Sequence, residues 1–321
     1  MNGVETLLSP VILFFLLGAV AAFVRSDLSI PEAIAKGMSL YLMAAIGLKG
    51  GKQVAEAGFS IEILVAAGVG LLLSLMLPLP AFALLRRLGG LNRTDAAACA
   101  AHYGSVSVVT FVTGVEVLTA AGMPPAGYMV AVLALMETPG IVVGLLLARQ
   151  AGGSAVAGAQ GSRLLHETFF NGSVMLLVGS FVIGLVAPKD ALAQTLPFFD
   201  GLFRGVLCLF LLDMGLIAAR RFRDARAMTW RVAGLALLLP IMNGLIGVTL
   251  ATLAGLEPGS AAALGILAGS ASYIAAPAVV RMALPEADPG LYLGMSLAVT
   301  FPFNIIFGIS LFSLYAVWIA P

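Results

Sequence analysis

Charge is what this sequence most lacks. Asp, Glu, Lys and Arg make up 10% of its 321 residues, against about 25% in soluble domains. That shortage excludes an ordinary soluble globular protein. A net charge of +1 without a dense basic stripe excludes a nucleic-acid partner. Cysteine and histidine are scarce too, at two each. Cys99 and Cys208 both fall in apolar segments with no CxxC or histidine-rich company, so they read as small packing residues. No GxSxG, HExxH or GKT/GKS pattern occurs, and a serine nucleophile would need both a base and an orienting third group. The chain therefore does not read as an enzyme, and its residues call for no cofactor.

What is present is apolar surface: 60% hydrophobic residues and a mean hydropathy of +1.06. This is the composition of an integral membrane protein. Its 37 glycines and 16 prolines suit packed membrane helices, where small residues allow close approach. Taking about 20 residues per crossing, the apolar runs predict ten spans, at 9–24, 31–48, 61–85, 95–121, 126–148, 168–187, 198–218, 229–254, 260–284 and 290–318. Glu5 stands where a signal peptide would be basic, so 9–24 reads as the first span. Residues 151–167, with GGSAVAGAQG at their start, read as a linker between a first half (1–150) and a second (168–321).

With ten spans both termini share one side. Arg25, Arg86, Arg87, Arg93, Arg149 and the cluster from Arg220 to Arg231 fall on one side, and Lys49, Lys52 and Lys189 on the other. The arginine side is expected to be cytoplasmic, which places both termini outside the cell inner membrane. Five spans per half make the second half inverted relative to the first.

The residues repeat as well. A shift of 168 matches Glu32 with Asp200, Lys36 with Arg204, Gly37 with Gly205, Gly47 with Gly215 and Leu48 with Leu216. Each half then carries an acid and a base at i, i+4, a spacing at which they can pair. A shift of 165 lays Gly104-Ser105-Val106-Ser107 on Gly269-Ser270-Ala271-Ser272, and Pro124 on Pro289. The expected fold is an all-α membrane bundle of about ten helices, a 5+5 inverted repeat with two broken helices.

These two Gly-Ser runs carry the functional reading. Backbone opens inside a membrane only where it lines a cavity or is buried in protein, and paired interruptions in two halves point to a transporter binding site. A restarting helix presents free N–H groups and a partial positive charge, which together hold an anion. Gly104, Ser105, Val106, Ser107, Gly269, Ser270, Ala271 and Ser272 are thus the candidate anion site, for one small oxyanion held from two sides. Among polar residues inside spans, Thr110, Glu137, Asp213 and Thr300 are candidates to help carbonyl oxygens bind a cation. Glu116 and Arg281 occupy equivalent positions after the two breaks and are expected to pair. His102, just before the first break, reads as a packing or gating residue. Glu137-Thr138-Pro139 and Thr300-Phe301-Pro302 read as matched kinks.

IPEAIAKGMSLYLMAAIGLKGG, HYGSVSVVTFVTG and GSASYIAAPAVVRMALPEADPGLYLGMSLAVTFPFNI resemble the corresponding motifs of the SbtA-type sodium-dependent bicarbonate permeases over nearly the whole chain. The resemblance implies core and gate subdomains, a homotrimer, an elevator-like motion, sodium as co-substrate and a bicarbonate site between the broken helices. It also implies a PII-like cytoplasmic regulator, although the linker here is much shorter than the family's cytoplasmic insert. Where better-known members read S-S-D-I-S-G-P-P, this chain reads Ala271-Ser272-Tyr273-Ile274-Ala275-Ala276-Pro277-Ala278. Tyr273 replaces an acid and becomes the candidate specificity residue. The expectation is sodium-coupled import of bicarbonate or a similar small monovalent anion. A non-transporting anion sensor or scaffold and an uncoupled anion channel are the alternatives.

Overall fold

The computed structural model describes residues 8–58, 60–149, 172–224 and 228–320. The expected linker at 151–167 and His166 lie outside them. Helix is the regular secondary structure of the described residues, and the helix starts follow local chemistry. Helix α1 (Pro10–Phe23) begins on Ser9 with proline in its first turn, the favoured arrangement of a side-chain acceptor followed by a residue with no N–H to satisfy. Helix α2 (Glu32–Ala57) follows Pro31. Helices α3 (Ile61–Met76) and α4 (Pro78–Arg87) meet at Leu77, where Pro78 interrupts the hydrogen-bond ladder.

Asn92 caps α5 (Arg93–Gly104), accepting the Asp95 N–H at 2.9 Å. Helices α6 (Val108–Ala120), α7 (Met129–Glu137) and α8 (Pro139–Arg149) complete the first half. The second half runs α9 (Gly172–Val186), α10 (Lys189–Gly201), α11 (Phe203–Asp224), α12 (Trp230–Leu253), α13 (Pro258–Ala268), α14 (Ala275–Ala283) and a last long helix, α15 (Pro289–Ile319).

Three boundaries depart from expectation. The span at 31–48 continues to Ala57, because Lys49, Lys52, Gln53 and Glu56 extend the helix with good helix formers. The span at 198–218 is divided at Leu202, where α10 and α11 meet at a bend of 40°. Pro197 and Gly201 weaken the helix just before that point. The expected kink at Thr300 is instead a pair of wide π-type turns, Gly294–Thr300 and Asn304–Gly308, on either side of Phe301–Phe303. The first-half counterpart is a true proline break, with α7 ending at Glu137 and α8 starting at Pro139.

Among the described residues, five helical stretches are long and apolar enough to cross a bilayer, six if α10 and α11 count as one bent span. Helices α1, α9 and α13 are shorter. The 14 residues of α1 extend about 21 Å, less than the roughly 30 Å hydrocarbon core.

Two helix pairs dominate the packing, α1 with α11 and α2 with α9. The first pair joins Pro10–Phe23 to Phe203–Asp224, and the second joins Glu32–Ala57 to Gly172–Val186. Both contacts are made through glycine. A methyl group at Gly18 would strike the Leu212 carbonyl, and one at Gly215 the Phe15 carbonyl. One at Gly47 or Gly51 would strike the Leu177 or Phe181 carbonyl, and one at Gly184 the Leu48 carbonyl. Gly47 and Gly215, aligned in the sequence by a shift of 168, each sit at a close helix–helix approach. The arginine cluster joins in: Arg220 donates to the Leu28 carbonyl and Arg223 to the Ala22 carbonyl, each at 3.1 Å. Ala22 lies in the last turn of α1, where its carbonyl also accepts the Arg25 N–H at 3.2 Å, and Leu28 lies in the loop that follows.

The repeat-matched charges do not pair within their helices. Asp200 bonds Lys49 at 2.7 Å, and Arg204 bonds Glu116 rather than leaving Glu116 to Arg281. Among the described residues Glu32 and Lys36 form no ion pair. The bend at Leu202 puts Asp200 and Arg204 on different helices, which destroys the i, i+4 geometry. Lys49, Lys52, Glu116, Asp200 and Phe203 line a cavity of about 320 Å³.

Candidate functional site

Both expected breaks are present, and they differ in width. Between α5 and α6 the helix is interrupted over Ser105, Val106 and Ser107; between α13 and α14 it is open from Gly269 to Ile274. All eight residues of the two Gly-Ser runs are buried.

Ser107 caps α6. Its hydroxyl accepts the Thr110 N–H at 3.2 Å and lies 2.9 Å from the Thr110 hydroxyl, which donates to it. The amides of Val108 and Val109 stand at the first two positions of the helix, where no carbonyl of the same helix can reach them. In the second break Ser272 does the corresponding work, accepting the Ala276 N–H at 3.2 Å.

The other two serine hydroxyls hold backbone. Ser105 donates to the Glu137 carbonyl at 2.6 Å, and Ser270 donates to the Leu267 carbonyl at 2.7 Å while accepting the Ser107 N–H at 2.9 Å. Gly104 and Gly269, equivalent in the repeat, each end a half-helix with a carbonyl held by a buried side chain. The Ser74 hydroxyl lies 2.9 Å from the Gly104 carbonyl and 2.8 Å from that of Met136, and accepts the Gly140 N–H at 3.0 Å. Asn304 donates to the Gly269 carbonyl at 2.9 Å. Ser74 went unnoticed in the sequence, although a lone polar residue deep in the apolar run 61–85 is the kind of signal that marks such a role.

His102 ties the breaks together. Its carbonyl accepts the Ser272 N–H at 2.9 Å and its Nδ1 lies 2.5 Å from the Ser272 carbonyl. A carbonyl can only accept, so Nδ1 carries the proton and Nε2, buried and unpartnered, is the bare nitrogen. The ring stacks on Tyr292, with centroids 4.8 Å apart.

Val106, Ser107, Val108 and Glu137 face Ser272, Tyr273, Ile274 and Ala275 across a cavity of about 10 Å³, closed on one side by Met43, room for roughly one water molecule. Glu137 is 3% exposed and its Oε2 has no hydrogen-bond partner. Tyr273 sets its ring edge-on to Phe301 at 5.1 Å, and its hydroxyl is also buried without a partner. Ala271 packs away from the cavity, in the cluster around Tyr103.

Of the remaining cation candidates, Thr110 belongs to the Ser107 cap. Thr300 is held elsewhere: it donates to the Ala236 carbonyl at 2.6 Å, so the Tyr103 hydroxyl, 2.6 Å away, must donate to it. Asp213 is buried on α11, outside the cavity lining.

The two breaks thus meet at one small shared cavity, in which Ser107, Ser272, Tyr273 and Glu137 are the polar residues of a mainly apolar lining, within an all-helical bundle. The family model of the Na+-dependent bicarbonate transporter superfamily matches residues 10–317. The chain belongs to that superfamily. No curated protein matches the chain. As a member of the bicarbonate transporter superfamily it is a multi-pass membrane protein with a transport role, and both breaks, the Glu137 kink and the π-type turns of α15 lie inside the matched region. Tyr273, the departure noted in the sequence, lies at the cavity where the halves meet.

Proposed function

We propose that this protein imports bicarbonate, or a similarly small monovalent anion, together with sodium. The carrying observation is that the start of α6, capped by Ser107, and the start of α14 at Ala275, whose Ala276 N–H is held by the Ser272 hydroxyl, meet on one cavity with no Lys or Arg in its lining among the described residues. Helix starts attract anions through free N–H groups and a partial positive charge. A site built this way holds an anion without a buried cation that would bind it too tightly to release. Sodium coupling makes energetic sense, because an anion entering alone opposes an inside-negative potential by about 2.3 kcal/mol per charge per 100 mV.

The architecture proposed with this function is ten crossings arranged as a 5+5 inverted repeat. The reciprocal pairs α1–α11 and α2–α9 support it, as do the equivalent breaks. Those four helices with α10 are the gate, the elements bearing the breaks are the core, and the gate carries the contacts of a trimer. The cavity is too small for a four-atom anion, so transport requires the core to open relative to the gate.

The test is a flux screen in proteoliposomes. Labelled bicarbonate, formate, acetate and larger carboxylates are offered with and without an inward sodium gradient. Saturable, sodium-driven uptake of the smallest anions is expected, reduced at least tenfold in Ser107→Ala and Ser272→Ala. Non-saturating flux indifferent to sodium identifies a channel, and binding without flux a sensor.

A further inference from the structure

Glu137 presents a problem that the anion site alone does not solve. Its carboxyl group is buried, one oxygen has no partner, and it lines the cavity that the helix starts open onto. An unpaired carboxylate in such surroundings is strongly unfavourable, and it would repel any anion arriving at Ser107. Among the described residues no basic side chain lines the cavity. Tyr273 is the other titratable group in the cavity lining.

Among the described residues, the charges on helices packed around α7 are paired or lie off the cavity; Lys36, exposed near the start of α2, does not line it. On α2, Lys49 is paired with Asp200 and Lys52 with Glu56. Helix α3 carries Glu62, α8 carries Arg149 at its far end, and α9 and α13 carry no charged residue. Of the elements bearing the breaks, α5 presents Arg93, Asp95, Cys99, His102 and Tyr103, α6 presents Glu116, and α14 presents Arg281. None of these lines the cavity. Glu116 is bound to Arg204.

The backbone around Glu137 favours a cation. Glu137 is the last residue of α7, whose end carries partial negative charge, although α8 starts two residues on at Pro139 with the opposite sign. The carboxyl-bearing turn is held firmly, with Ser105 on the Glu137 carbonyl and Ser74 on the Met136 carbonyl. Ser107, Ser272 and Tyr273 supply neutral oxygens on the facing walls. Hard oxygen donors around one carboxylate suit a small monovalent cation.

Resting on the reading of the protein as an anion transporter, we propose that Glu137 is the ligand of the coupling cation, sodium or a proton, and that the anion enters only after this cation has neutralised it. The two ions then occupy neighbouring parts of one site, the cation at the end of α7 and the anion at the start of α6. Coupling is enforced by repulsion: the empty carboxylate excludes the anion, and the cation removes the exclusion.

The experiment uses full-length protein. Thermal unfolding in detergent is followed against sodium chloride at constant ionic strength, with choline as the replacement ion, and against pH. Wild type and Glu137→Asp are expected to show a cation-dependent rise in Tm, and Glu137→Gln none. In proteoliposomes, Glu137→Gln is expected to exchange labelled anion with at least tenfold weaker dependence on sodium and to take up no labelled sodium. A sodium-dependent shift at fixed pH assigns the cation as sodium, and a response to pH without sodium assigns it as a proton. A Glu137→Gln protein that keeps the wild-type Tm response, whether or not it transports, overturns the proposal. Wild type that moves no small anion yet shows a Glu137-dependent response defeats the transport reading and leaves the cation site standing.

Discussion

The amide of Ser107 donates to the hydroxyl of Ser270 across 2.9 Å, so the residue that caps one half-helix is held by the residue that follows the end of the other. Neither break is therefore positioned alone. Ser270→Ala leaves the buried Ser107 N–H without its acceptor, a loss of about 1–3 kcal/mol. A lower Tm is the expected result in thermal unfolding, and because the geometry at Ser107 is disturbed, anion affinity falls with it.

Gly140 and Gly104 make the closest backbone approach near the site. A methyl group at Gly140 lands on the Gly104 backbone. Gly140→Ala is expected to cost about 1–3 kcal/mol through overpacking. Gly37 is the control: a methyl there meets nothing, and Gly37→Ala in the body of α2 is expected to stabilise by about 0.5–1 kcal/mol. Equal Tm changes in the two variants would refute the close-approach argument.

Tyr273→Phe separates folding from recognition. Among the described residues the hydroxyl is buried with no partner at hydrogen-bond geometry, Ser107 being the nearby side chain, so its removal is expected to change Tm little. If the hydroxyl serves the anion when the cavity opens, affinity drops about tenfold, or about 1.4 kcal/mol, at undiminished stability. A matching loss of both would assign Tyr273 to packing instead.

The Arg204–Glu116 contact joins α11 to α6, with Arg204 67% exposed. At that exposure its stability value is expected to stay below about 1 kcal/mol and to fall with salt. A double-mutant cycle with Arg204→Gln and Glu116→Gln measures the coupling. A coupling several times larger would mean that the pair is shielded from water.

Much of this was legible in the residues. The breaks could be read because Gly-Ser runs conflict with an apolar helix, and Gly47 with Gly215 because a repeat preserves the glycines its crossings need. Pro139 announced the break after Glu137. Less visible was anything decided by facing surfaces. Asp200 and Arg204 have the spacing of a helical pair, yet the bend at Leu202 sends one to Lys49 and the other to Glu116. The second break runs on to Ile274 although its motif ends at Ser272, because the Ser272 backbone is tied to His102 and its hydroxyl reaches forward to the Ala276 N–H in the first turn of α14. Ser74 is a single hydroxyl whose three partners come from distant parts of the chain.

The interlocked helix pairs also bear on how the protein is made. Arg223 and the Ala22 carbonyl it holds are 201 positions apart in sequence, and synthesis proceeds at roughly 5–20 residues per second. Helix α1 thus emerges about 10–40 s before α11, leaving its glycine face against lipid or an assembly factor, and α2 waits similarly for α9. The membrane holds a half-built protein for that time, and the chain closes when its second half arrives to fill the grooves of the first.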